Sequence, residues 1–226
     1  VYNLDREEVK KDVFTVNWDI SAAEKGGYEH FMMKEIEEQP KALKETISPR
    51  IQDGRIILDD ISLTEDDIKK INKIFIIACG SAYHAGMVGK YIIEKLCRKP
   101  VEATVASEFR YCDPIIGEND LAIIISQSGE TADTIAALKE AKKKGARTLG
   151  IVNVVGSAIA NLSDDVLYTW AGPEIAVATT KAYSTQLSVL YLLATYMADK
   201  LGTISPEYYD KLTADIEKLP EQVAEL

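Results

Sequence analysis

A strand in a parallel sheet covered by helices on both sides must be apolar on both of its faces, and this chain meets that condition repeatedly. Ile74-Phe75-Ile76-Ile77-Ala78 is an unbroken apolar run, and Leu121 to Ile125 is another. Val101 to Ala106, Thr148 to Val152 and Val166 to Trp170 are three further strand-like segments. Helical patterns separate them, one from Cys79-Gly80-Ser81 to about Leu96 and one from Thr131 to Lys144. The latter closes in Lys142-Lys143-Lys144-Gly145: cations at the negative end of the helix dipole, then a residue suited to a left-handed C-terminal turn. The alternation predicts an α/β fold, a doubly wound five-stranded parallel sheet in three αβα layers.

Helices are added at both ends. Residues 1–27 are mixed and polar, with an alternation in Val13-Phe14-Thr15-Val16-Asn17-Trp18 that allows one strand before Gly26-Gly27. From Tyr28 to about Ile47, Phe31, Met32, Ile36 and Leu43 recur at helical spacing, and Pro40 splits the segment into two helices. Ser62 and Thr64 ahead of Glu65-Asp66-Asp67 read as the capped start of a short helix ending near Asn72. Thr180 to Leu201 is a long apolar helix, and Pro206 to about Leu219 another. The expected division is a tail or linker over 1–27, a helical extension over 28–72, the sheet domain over 73–202, and a helix with a linker over 203–226.

In doubly wound sheets the ligand lies beyond the carboxyl ends of the strands. Two strands here end alike: the first in Cys79-Gly80-Ser81-Ala82, the third in Ser126-Gln127-Ser128-Gly129-Glu130-Thr131. Each is a strand, a glycine-containing turn with small hydroxyls, then a helix. A helix N-terminus offers unsatisfied N–H groups and partial positive charge, the hydroxyls add donors, and glycine lets the backbone close around a tetrahedral anion. A single hydroxyl there is more often a helix cap. Three within six positions after a buried strand favour a phosphate cradle. There is no G-x-x-x-x-G-K-[ST] and no G-x-G-x-x-G, so neither an ATPase loop nor a dinucleotide fingerprint is present. A phosphate held without lysine suits a small sugar monophosphate that must come and go.

The rest of the composition narrows the partners. A net charge of −10 disfavours nucleic acid and anionic membranes, though not an anionic small molecule held at a helix end. Cys79, Cys97 and Cys112 have no C-x-x-C spacing and fit a reducing, cytoplasmic compartment. Two histidines and no ligand cluster predict no metal, and no other cofactor is expected. No apolar run reaches membrane-spanning length. The chain opens at Val1 without Met or a positive leader, which fits a piece of something longer.

Ser126-Gln127-Ser128-Gly129-Glu130-Thr131-Ala132-Asp133-Thr134, with the upstream Cys79-Gly80-Ser81-Ala82-Tyr83-His84-Ala85-Gly86, resembles the sugar isomerase (SIS) domain, a phosphosugar-binding flavodoxin-like fold. Three more blocks, Gly27 to Pro40, Ala106 to Tyr111 and Glu174 to Tyr183, resemble the glucosamine-6-phosphate synthase family, in its first isomerase subdomain and the junction before it. The resemblance implies an amidotransferase that makes glucosamine 6-phosphate from fructose 6-phosphate and glutamine in amino-sugar biosynthesis. In that family a glutaminase domain precedes two SIS subdomains. Apart from the resemblance, a homodimer is expected through apolar helix faces left over once the sheet is covered. Residues 1–27 would then be the tail of the glutaminase domain, and residues near 226 the linker to the second SIS subdomain.

By the same resemblance Ser126, Gln127, Ser128 and Thr131 hold the sugar phosphate, Ser81 contacts substrate, and Val177 lines the sugar pocket through its backbone. Gly80, Ala82, Gly129, Glu130, Glu174 and Lys181 are expected around them. Ala82 stands where many relatives carry Ser. Ring opening and proton transfer belong to the second subdomain, so no catalytic residue is expected here and the chain is read as a binding half. A stand-alone phosphosugar isomerase and a sugar-phosphate-sensing regulator are the alternatives. Among single residues, His84 reads as packing, Glu130 as a charge complementing a helix N-terminus, and Lys181 equally as facing ligand or water.

Overall fold

The structure, a computed structural model, describes residues 6–8 and 24–226. The alternation at Val13 to Trp18 lies outside the described residues. Two helices lead in, α1 (Phe31–Glu37) and α2 (Gln39–Ile47), broken at Glu38 as Pro40 demands. Proline is tolerated in that first turn because its missing N–H would have had no helical partner. A 3-10 turn at Ser48–Arg50 and a two-residue hairpin, β1 (Ile51–Gln52) with β2 (Arg55–Ile56), lead to α3 (Glu65–Lys70). Then β3 (Lys73–Ala78), α4 (Gly80–Cys97), β4 (Val101–Val105), α5 (Ala106–Phe109), β5 (Asp120–Ser126), α6 (Ala132–Lys143), β6 (Arg147–Val152), α7 (Ala158–Leu162) and β7 (Asp165–Tyr168) alternate. The long α8 (Lys181–Leu201), α9 (Pro206–Glu217) and α10 (Leu219–Ala224) complete the described chain.

The five main strands run parallel in the order β4-β3-β5-β6-β7, the expected doubly wound sheet. Ile76 stands opposite Ala103 on one side and Ile123 on the other, and Ile123 opposite Leu149. That register sorts alternate residues into two cores. Ile74, Ile76, Ile123 and Ile125 pack under Ala85 and Ile93 of α4 and Leu190, Leu193 and Met197 of α8. Phe75, Ile77, Ala122 and Ile124 face Phe109, Leu138, Ala141 and Ile159 from α5, α6 and α7. Phe75 meets Phe109 edge-on with ring centroids 6.0 Å apart. Each large side chain buried this way contributes about 1.5–3 kcal/mol.

The helix termini obey their signals. Thr64 Oγ1 accepts from Asp67 N at 3.2 Å while Asp67 Oδ2 accepts from Thr64 N at 3.0 Å, a reciprocal cap on α3. After α6, Gly145 at φ +90° donates to the Lys142 carbonyl and Ala146 to that of Ala141, so the turn closes back on the helix. Ser62 caps nothing. Its N–H and hydroxyl both donate to Asp165 Oδ1 at 2.7 Å, while Arg147 Nε donates to Asp165 Oδ2 at 2.8 Å. Burial alone would push the Asp165 carboxyl up, but Arg147 and Ser62 outweigh it and hold it below the usual carboxylate range.

The strand boundaries shift by one or two residues from the sequence reading. The second strand stops at Val105 because Ala106 already begins α5, and the last runs Asp165–Tyr168 rather than to Trp170, which adopts φ +48°. The hairpin and the helices α5, α7 and α10 are too short to leave a periodic signal. Among the described residues no helix is long and apolar enough to cross a membrane.

Candidate functional site

The chain leaves β3 toward β4 on one side and returns to β5 on the other, so the carboxyl ends of β3 and β5 form the switch point of the sheet. A cleft of about 240 Å³ opens there. Its floor is the loop from Ser126 to Thr131. Ser126, 4% exposed, accepts the Gly129 N–H on its hydroxyl at 3.0 Å and lies 3.2 Å from Thr131 Oγ1. Ser128 Oγ accepts from Glu130 N at 3.2 Å. The loop is therefore wound on its own hydroxyls.

Gly129 makes this path possible. Its φ is +68°, and a Cβ at that position would lie 2.0 Å from Ser157 Oγ and 2.5 Å from Ser157 Cβ. Only a residue without a side chain fits there. Thr131 stands at the N-cap of α6, yet its side chain accepts no hydrogen bond from the helix's first N–H groups. The same holds at α4, whose N-cap is Cys79. Capping therefore does not account for Ser128 and Thr131. Two uncapped helix N-termini border one cleft, with Ser81 and Ala82 from α4 and Ser128, Thr131 and Thr134 at the head of α6 among its lining residues.

The third wall is the segment before α8. Glu174 accepts Thr179 Oγ1–H at 2.9 Å on one carboxylate oxygen, and Thr180 N at 2.9 Å and Ala182 N at 3.1 Å on the other. It ties the loop's two ends together and caps α8. Val177 projects fully into solvent at the loop's tip and borders the cleft.

Several expected residues prove to have structural partners. Glu130 complements a helix N-terminus, though of α7 rather than α6: its Oε1 accepts from Ala158 N at 2.7 Å. Lys181 faces neither ligand nor water. It is 3% exposed and donates to Glu38 Oε2 at 2.7 Å. His84 is exposed and stacks edge-on against Tyr83, outside the cleft lining. Gly80 takes φ +57° at the start of α4. Sequence reasoning passed over Cys79, Thr134 and Gln186, which also line the cleft. Thr134 Oγ1 donates to Cys79 Sγ at 3.7 Å, joining the two loops.

The cleft lining contains hydroxyls, amides, one thiol and one carboxylate, with no lysine, arginine or histidine. Such a surface offers hydrogen-bond donors and fixed helix dipoles to an anion.

A parallel five-stranded sheet with a hydroxyl-rich cleft at its switch point defines a doubly wound α/β architecture, and the chain belongs to the SIS domain family, whose model matches residues 67–196. Among individual relatives, it is 60% identical over 217 residues to the glutamine–fructose-6-phosphate aminotransferase (isomerizing) of Caldanaerobacter subterraneus subsp. tengcongensis, covering 96% of this chain and 36% of that protein. The Clostridium acetobutylicum protein of the same name is 57% identical over 226 residues, 100% of this chain and 37% of the relative. The chain thus spans little more than a third of the length of these relatives. The C-terminal domain of glucosamine-fructose-6-phosphate aminotransferase from Francisella tularensis superposes with a TM-score of 0.84 at 39% identity, over 88% of this chain and 56% of that one.

Proposed function

We propose that this chain is the fructose-6-phosphate-binding half of the isomerase region of an enzyme that makes glucosamine 6-phosphate from fructose 6-phosphate and glutamine. The observation that carries the reading is the cleft where two uncapped helix N-termini and the hydroxyls of Ser126, Ser128 and Thr131 converge without a cation. The identity to the aminotransferases supports the particular substrate. Ser126, Gln127, Ser128 and Thr131 bind the phosphate, Ser81 reaches the substrate from α4, and the backbone at Val177 borders the sugar. The one carboxylate in the lining, Glu174, already accepts three hydrogen bonds, which supports binding without proton transfer. The chemistry then belongs to a second SIS subdomain and the ammonia to a glutaminase domain of the whole enzyme. In this reading residues 1–27 continue from the glutaminase side, 28–72 extend the isomerase region, 73–202 form its first SIS domain, and 203–226 lead to the second.

Ser128→Ala tests the assignment. Removing a hydroxyl donor to a charged oxygen costs about 1.5–3 kcal/mol of binding, a ten- to hundredfold loss of affinity for fructose 6-phosphate by calorimetric titration. The melting temperature should hardly move, because Ser128 Oγ accepts only the Glu130 N–H and caps no helix. A lowered melting temperature with unchanged affinity overturns the phosphate assignment.

The reading includes self-association in a cytoplasmic, reducing setting, the latter supported by three free cysteines. The expected apolar face of α8 is buried within the chain, whereas Met32, Met33 and Ile36 on α1 stay 37%, 53% and 41% exposed. These are the apolar surface available to a second copy. A clean monomer in sedimentation at high concentration counts against a dimer.

A further inference from the structure

The Gly27-to-Pro40 block is a sequence motif that phosphate binding leaves without a task. In the structure it reaches across to the wall of the cleft. Glu35 Oε1 accepts from Ile175 N at 2.7 Å and from Ala176 N at 3.1 Å. Glu38 pairs with Lys181 at 2.7 Å, and Gln39 Oε1 accepts from Ser184 Oγ at 2.5 Å. Three polar residues of the extension thus hold one stretch of chain 140 positions or more away.

That stretch has little else to fix its tip. Ile175 is 44% exposed and Val177 fully so, so no apolar side chain anchors the tip in the core. Glu174 joins the loop's ends, through Thr179, Thr180 and Ala182, and not through the 175–178 backbone. Glu35, by contrast, is 2% exposed and grips two adjacent N–H groups with one oxygen. A buried carboxylate gripping two amides is a stiff restraint, and it acts one residue from Val177. The extension is itself tied further back, through Lys34 Nζ on the Glu24 carbonyl and Tyr28 OH on Glu37 at 2.6 Å.

We propose that Glu35 is a positioning residue for the sugar: through Ile175 and Ala176 it sets where the Val177 backbone stands over the phosphate cradle. The inference rests on the sugar-phosphate reading above and adds a separation of labour to it. The Ser126–Thr131 loop binds the phosphate, and the Glu35-held loop reads the sugar attached to it. The segment from Glu24 to Gln39 is then a strap by which displacement upstream of the sheet domain changes sugar affinity without altering phosphate affinity.

The test is an NMR-detected titration of the full chain with fructose 6-phosphate and, separately, with inorganic phosphate. Glu35→Ala should weaken fructose 6-phosphate about tenfold. Inorganic phosphate affinity should stay within about twofold of wild type, and the Ile175 and Ala176 amides should shift. Glu35→Gln, which keeps an acceptor oxygen, should restore most of the sugar affinity, a rescue that a merely space-filling role would not require. Gln39→Ala, which leaves Glu35 in place, should cost about threefold for the sugar phosphate alone and serves if Glu35→Ala does not fold. Unchanged fructose 6-phosphate affinity in these variants, equal loss of both ligands, or a Gln variant as poor as Ala overturns the positioning role. A wild-type chain that binds neither ligand overturns the sugar-phosphate reading itself, and the strap with it.

Discussion

Gly129→Ala is expected to destabilise the chain by about 2–5 kcal/mol, the sum of a left-handed backbone penalty of roughly 1–2 and an overpacking cost of about 1–3 kcal/mol. The two terms have separate origins in the structure. The φ of +68° is disfavoured for any residue with a Cβ, and the Cβ itself would sit 2.0 Å from Ser157 Oγ. Ser157 is 3% exposed and stands at the N-cap of α7, so its side chain has little room to move aside. Sugar-phosphate affinity should fall with stability, because the Gly129 N–H that Ser126 Oγ accepts is part of the same turn. Urea unfolding of Gly129→Ala, Ser157→Gly and the double variant separates the terms: Ser157→Gly relieves the collision and leaves the backbone strain. A Gly129→Ala protein as stable as wild type and still binding would mean that the loop follows another path.

Asp165→Ala ranks next, with a loss of about 2–4 kcal/mol. Removing one partner of a buried ion pair costs about 3–5 kcal/mol, and the Arg147 side chain, 29% exposed, recovers part of that by hydration. The Ser62 N–H and hydroxyl lose their acceptor as well, so the lead into α3 should loosen together with the starts of β6 and β7. The effect has a defined pH dependence. The folded carboxyl titrates below its unfolded value, so its contribution is fully present above about pH 4 and is lost as pH falls through the folded value. The stability gap between wild type and variant should therefore be widest near neutrality and narrow in acid. A gap that stays constant from neutral pH to pH 2 would remove the ion pair as its cause.

The parallel sheet was legible because burial on both faces leaves no polar residue within Ile74–Ala78 or Leu121–Ile125. The hydroxyl-rich cleft loop was legible for a related reason: hydroxyls are out of place beside such a strand unless they meet something polar. What sequence could not supply was partnership at a distance. Lys181 read as a choice between ligand and solvent because Glu38, its actual partner, lies 143 positions away. Glu130 was rightly read as complementing a helix N-terminus, yet the helix in question, α7, is five residues long and leaves no periodicity. Thr134 and Gln186 face the cleft from inside helices, where nothing in their neighbours distinguishes them from ordinary buried polar residues. Ser62 looked like a cap beside Thr64, and only the fold shows that its acceptor stands at the start of the last strand.

The absence of any cation from the cleft lining has a kinetic side. The chain carries −10 overall, and a sugar phosphate near neutral pH is itself close to a dianion. Helix dipoles and N–H groups attract only within the first turn, a few ångströms, whereas the net field of the chain reaches outward over roughly 10 Å at 0.1 M salt. If the cleft takes a sugar phosphate as proposed, that ligand is repelled until it has almost arrived and is held only after contact. Added salt should screen the repulsion and speed the encounter, the reverse of what a lysine-lined phosphate site shows, so specificity here is exercised at the threshold and not by steering from afar.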